Sequence, residues 1–174
     1  EGILFTGDFQ SFLYSSDYSR DFERFSILKG ELAYATTFFY HFTVMDQSEA
    51  EFTIGEQTVP FFDFILGGYG YNMVNNFRHF YGYDFVSLSG NSYIKGAINL
   101  NYEIFRKNHV NFTANYANVG YKLFDSDAWI EQPQYSGYAL GYGLETIIGP
   151  VELKHSWSPE TGNHYTWFSL GFWF

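Results

Sequence analysis

The sequence contains no cysteine, which excludes a disulfide framework and any thiolate metal site. Cations are scarce. Nine Lys and Arg stand against nineteen Asp and Glu, for a net charge of −10. A nucleic-acid binder needs a basic face, so that class is excluded as well. Long hydrophobic runs are also missing. The longest stretch free of charged or strongly polar residues, "FILGGYGY", covers only 64–71, far short of the ~18 residues that cross a bilayer as a helix. No signal-peptide pattern opens the chain, which begins on Glu1; the expectation is a processed protein or a piece of a longer one.

What is abundant is aromatic side chains. Phe, Tyr and Trp make up 24% of the residues, yet mean hydropathy is only −0.20. Such a balance requires alternation, every second residue apolar and the rest polar or small. The clearest case is "SYIKGAINLNYEIF" (92–105), where Ile94, Ile98, Leu100, Tyr102 and Ile104 oppose Lys95, Asn99, Asn101 and Glu103. Residues two apart in a strand share a face. "HVNFTANYANV" (109–119), "SGYALGYGLETII" (136–148) and "PVELKHSW" (150–157) repeat the pattern. Upstream, strands are expected at about 2–14, 25–36 and 41–54. The chain ends on "HYTWFSLGFWF", which places Phe168, Leu170, Phe172 and Phe174 on one face. These four form the C-terminal barrel signal of this reading.

Counted this way the chain carries eight strands, with long and short connections in strict alternation. The expectation is all-β: a transmembrane antiparallel β-barrel with lipid-facing and lumen-facing residues alternating, short periplasmic turns and longer extracellular loops. Glu1 and Phe174 fall on the periplasmic side. One connection, about 55–91, is too long for an ordinary loop and too aromatic for disorder. An eight-stranded barrel is filled by its own side chains. A loop of this size directed into the lumen therefore implies a larger barrel.

The stretch "GYALGYGLETIIGPVELKHSW", followed by "WFSLGFWF", resembles the last three strands of the BamA-like outer-membrane superfamily of insertases and two-partner translocators. "HFYGYDF" stands where those proteins carry a V-R-G-F/Y loop tip, and "TANYANV" where they carry F-V-D-A-G-N-V. The resemblance covers 55–174 well and 1–54 loosely. It implies a single domain, 1–174, forming the C-terminal part of the barrel: strands nine to sixteen of sixteen. "FILGGYGYN", "NNFRHFYGYDF", "LSGNSYIKGAINLNYEIF" and "ANYANV" look most like the barrel attached to patatin-like phospholipases of Bacteroidota-type bacteria. That resemblance implies a barrel that anchors, and helps export, an N-terminal lipase domain absent from this chain. The alternatives are a stand-alone eight-stranded structural or adhesion barrel, and an insertase or translocase of the BamA type.

In the superfamily the loop-tip Arg pairs with a strand Asp across the lumen. Here Tyr81 and Asn115 occupy those positions, and Arg78 lies three residues before the tip. Arg78, Tyr81, Gly82, Tyr83 and Asn115 are therefore the expected loop-docking residues, with a structural or gating role and neutral hydrogen bonds in place of the charged pair. No catalytic residue is expected. G-x-S-x-G is missing, and the spacing of "LSGNSY" differs from it. No metal and no cofactor are expected, since His41, His79, His109, His155 and His164 have no ligand spacing. "DQSEAE" (46–51) reads as an acidic strand with a solvated face. Trp157, Trp167, Trp173 and Tyr165 read as interfacial girdle aromatics. Expected partners are outer-membrane lipids, the remaining strands of the same barrel and the barrel assembly machinery, with a homodimer as an open alternative.

Overall fold

The structure is a computed structural model that describes residues 1–14, 22–56, 60–70, 76–125 and 129–171. Phe172 and Phe174 of the terminal stripe, and Trp173, lie outside the described residues. The large sheet is built from β1 (Gly2–Phe12), β2 (Phe25–Phe38), β3 (Phe42–Gly55), β7 (Ser92–Phe105), β8 (Asn108–Gly120), β9 (Tyr135–Thr146), β10 (Gly149–Trp157) and β11 (His164–Leu170). Their order is β1-β2-β3-β7-β8-β9-β10-β11, antiparallel throughout. No pairing joins β1 to β11 among the described residues, so this sheet is open.

Three further strands correct the expected count. β4 (Phe64–Leu66), β5 (Phe77–Arg78) and β6 (Leu88–Gly90) form a second sheet of order β5-β4-β6, giving eleven strands among the described residues. They fall inside 55–91, where the sequence shows only a loop. Strands of two or three residues are too short to display a period of two, so hydrophobic alternation cannot signal them.

The two faces of the large sheet divide as the side-chain period requires. Ile98, Tyr102, Ile104, Leu140, Tyr142, Leu144, Leu153, Phe168 and Leu170 are exposed on the outer face. Their immediate neighbours Lys95, Ala97, Asn111, Thr113, Asn115, Ala139, Lys154 and Ser156 are buried on the inner one. What lies over that inner face is the second sheet together with the residues around Tyr69 and Tyr81. Phe64, Leu66 and Phe80 have no exposed surface and join Phe25, Ile27, Tyr93, Ala117 and Val119 in one core cluster. The hydrophobic core thus lies between the large sheet and segment 60–90, which is covered on the sheet's inner side. Phe62 extends the cluster to the first strands, with ring centroids 4.8 Å from Phe12 and 5.0 Å from Phe25.

An outer face this apolar suits a lipid environment, in which a sheet satisfies its backbone groups internally. The facing is open to a direct test. Leu100→Arg should cost about 2–4 kcal/mol if the position meets the bilayer midplane, and Asn101→Arg, on the inner face, far less. Thermal denaturation in detergent of the two variants reads the difference. Equal penalties would mean the faces are exchanged, as a one-residue slip produces.

Candidate functional site: a segment docked on the inner face

Segment 60–90 reaches the inner face through three sets of contacts. The first is ionic. β5 ends on Arg78, whose guanidinium pairs with Glu51 and lies 3.5 Å from Glu49, both on β3. Lys95 of β7 bonds Glu49 at 3.0 Å, and Lys29 of β2 stands 3.6 Å from Glu51. The Tyr93 hydroxyl donates toward both carboxylates, at 3.2 Å to Glu49 and 2.9 Å to Glu51. Cross-strand register explains the grouping: Lys29 is opposite Glu51, which is opposite Tyr93, and Glu49 is opposite Lys95. Three cations therefore surround two carboxylates that are only 6% and 3% exposed. Glu49 and Glu51 were expected on a solvated acidic strand; the structure instead buries both under segment 60–90. The inward parity they share with Lys95 is the one sequence signal that pointed to this pairing.

The second set is the tip. Tyr81 N–H donates to Asn115 Oδ1 at 2.8 Å, and Asn115 Nδ2 donates back to the Tyr81 carbonyl at 3.3 Å. Asn115 is fully buried beneath it. Gly82 adopts φ 85°, and a Cβ there would overlap the Trp157 carbonyl of β10. A Cβ on Gly137 of β9 would overlap the Tyr81 carbonyl in the same way. Only glycine permits so close a backbone approach. Lys154 adds its ammonium 4.9 Å from the Tyr81 ring centroid, within cation–π range. Beside it, burial first, then the charges of Lys95, Lys154 and Arg78, hold the His79 imidazole well below its ordinary range, so it is neutral. The tip thus brings Tyr81, Gly82 and Asn115 together, while Arg78 goes to β3.

Tyr83 belongs to a latch at the β10–β11 connection. Its hydroxyl donates to Glu160 at 3.5 Å, and the same carboxylate accepts from Ser136 at 2.6 Å and Ser158 at 2.7 Å. Burial alone would raise the Glu160 pKa, but the hydrogen bonds from Ser136, Ser158 and backbone N–H groups outweigh it and hold the carboxyl below its usual range. A depressed folded-state pKa contributes stability above the unfolded value of about 4.3, lost as pH falls through the folded value. Tip protection, followed by hydrogen exchange at 80–84, should therefore fall below about pH 4.3. Glu160→Gln should remove that pH dependence.

The third set reaches the last strand. The Tyr69 hydroxyl donates to Glu152 at 2.6 Å and lies 2.8 Å from Ser169 Oγ, while its ring stacks on Trp167 at 5.9 Å. Phe85 meets the same indole edge-on at 5.2 Å. Trp167 was expected in an interfacial girdle; its inward parity on β11 puts it under the docked segment instead. Contacts of residues 60–70 and 76–90 thus run from Phe12 on β1 to Trp167 on β11, across the width of the sheet.

Alternating strands with an apolar outer face, a polar inner face and an internal segment docked across it define the wall of an outer-membrane β-barrel. The family is specific: the chain belongs to the OMP85 superfamily, whose model matches residues 1–174. A comparison with curated proteins finds no match. Among the described residues no group of His, Asp and Glu is arranged to hold a metal ion.

Proposed function

We propose that residues 1–174 are strands nine to sixteen of a sixteen-stranded outer-membrane barrel. In this reading the docked segment closes the lumen, and the barrel anchors, and helps export, an N-terminal patatin-like phospholipase domain. The observation that carries the barrel size is the inner face covered by the second sheet and the chain next to it, with Phe64, Leu66 and Phe80 fully buried there. Eight strands closed on themselves leave room only for their own side chains, so more strands must complete the wall. The open edges of β1 and β11 are where those strands would pair, since lipid tolerates no unpaired edge. The count of sixteen and the lipase rest on the resemblance of "FILGGYGYN", "NNFRHFYGYDF" and "ANYANV". The neutral Tyr81–Asn115 contact, where insertases have a charged pair, favours this reading over a BamA-type insertase.

Two measurements test it. Residues 1–174 refolded alone in detergent should give no heat-modifiable monomer, and adding the upstream strands should restore one. A well-behaved eight-stranded monomer would overturn the barrel assignment. In the full reading frame, a fluorophosphonate probe should label a serine upstream of Glu1 in the outer-membrane fraction. Absence of labelling would remove the lipase and leave the barrel standing.

A further inference from the structure

We propose that the outer wall carries a binding site for an acylated phosphoethanolamine headgroup, at the extracellular rim between β3 and the β8–β9 connection. The proposal rests on the reading that the outer face meets lipid. A cavity of about 320 Å³ opens there, lined by Phe52, Thr53, Ile54, Glu56, Lys122 and Asp125, with Phe124 as its outer lip. Phe52 is opposite Leu28, which is opposite Phe9, so it belongs to the lipid-facing side. Phe52 and the half-exposed Ile54 are the last outward apolar residues of β3, and Glu56 follows just after the strand ends at Gly55. The cavity therefore straddles the boundary between apolar wall and polar rim, where a lipid's chain and headgroup meet.

Its outer side is held in place. Phe124 packs at a tilt against Phe52 at 4.3 Å and is backed by Trp129 at 5.5 Å. The chain leading to it is pinned by Lys122 N–H to Asn91 Oδ1 at 2.9 Å and Leu123 N–H to Ser92 Oγ at 3.1 Å. The Tyr121 hydroxyl donates to Asp63 at 2.8 Å.

The charges select the headgroup. One basic residue, Lys122, and two acidic ones, Glu56 and Asp125, line the cavity. A phosphate fits Lys122, and a primary ammonium fits the carboxylates by charge-assisted hydrogen bonds. A trimethylammonium has no N–H to donate, and an anionic headgroup without an amine meets a surplus of negative charge. The acyl chain lies against Phe52, Ile54 and Phe124, whose apolar surface its burial removes from water.

The intact protein, purified in mild detergent, is titrated with phosphatidylethanolamine, phosphatidylcholine and phosphatidylglycerol of identical chains and read by native mass spectrometry. Phosphatidylethanolamine should be retained at about tenfold lower concentration than the other two. Lys122 has φ 56°, a region Asn tolerates, so Lys122→Asn keeps the turn; it and Phe124→Ala should abolish the preference while heat modifiability persists. Soluble O-phosphoethanolamine should fail to compete. Better competition by phosphoethanolamine-bearing lipid A than by the phospholipid would assign the occupant to lipid A, and the reverse to the phospholipid. Equal retention of all three phospholipids, or an unchanged preference in both variants, overturns the site. Failure to retain any phospholipid would instead overturn the lipid-facing assignment beneath it.

Discussion

Glu51→Gln is expected to destabilise the folded protein by about 3–5 kcal/mol, the usual result of removing one partner from a buried ionic group. The stoichiometry of the cluster makes the direction asymmetric. Lys29, Arg78 and Lys95 face Glu49 and Glu51. Losing Glu51 leaves three cations against one carboxylate, with Lys95 only 1% exposed. Arg78→Met leaves two against two, and the aliphatic replacement retains the packed volume. Its cost should be clearly smaller, even though Arg78 tethers segment 60–90 to β3 through charge. Thermal midpoints of heat modifiability in detergent compare the two. Equal losses would mean that the guanidinium's fork geometry, not charge balance, holds the cluster, and Arg78→Lys should then fail to rescue.

That cluster also marks the boundary of what the sequence discloses. Strand faces are legible because a barrel wall is apolar at every second residue, and Ile98, Leu100 and Tyr102 against Asn99 and Asn101 set the register without reference to any other strand. The alternation of long and short connections is legible for the same local reason. The partners of Glu49 and Glu51 are not. Lys29, Arg78 and Lys95 come from three separate segments, and nothing within "DQSEAE" distinguishes a buried acidic edge from a wet one until segment 60–90 covers it. Tyr69 and Trp167 are farther apart still. Tyr69 lies in a glycine-rich stretch with no period, and Trp167 on an edge strand whose aromatics fit a membrane girdle equally well. The Tyr81–Asn115 positions came from resemblance alone; no spacing rule connects a loop tip to a strand thirty-four residues later.

Gly137→Val is expected to lift the tip from the wall and open the lumen. A Cβ at Gly137 would overlap the Tyr81 carbonyl and sit 2.7 Å from Asn115 Nδ2. The variant therefore strikes the two atoms that close the Tyr81–Asn115 pair, while β-branched valine suits the β9 backbone itself. Relief by a small shift is barred on the far side, where Gly82 already abuts the Trp157 carbonyl. The strain of an overpacked contact is about 1–3 kcal/mol, comparable with two net hydrogen bonds at about 1 kcal/mol each, so the undocked tip becomes competitive. Gly143→Val is the control. It lies on the same strand and the same inner face, yet its Cβ would meet only His109 Cβ at 3.9 Å and the Val151 carbonyl at 4.0 Å, ordinary contacts. In planar bilayers the intact protein carrying Gly137→Val should show raised single-channel conductance, approaching that of a deletion of 76–86, with a lower thermal midpoint. Gly143→Val should match the parent in both. If Gly137→Val lowers the midpoint but leaves conductance unchanged, the tip braces the wall without closing the lumen, and the gating role falls.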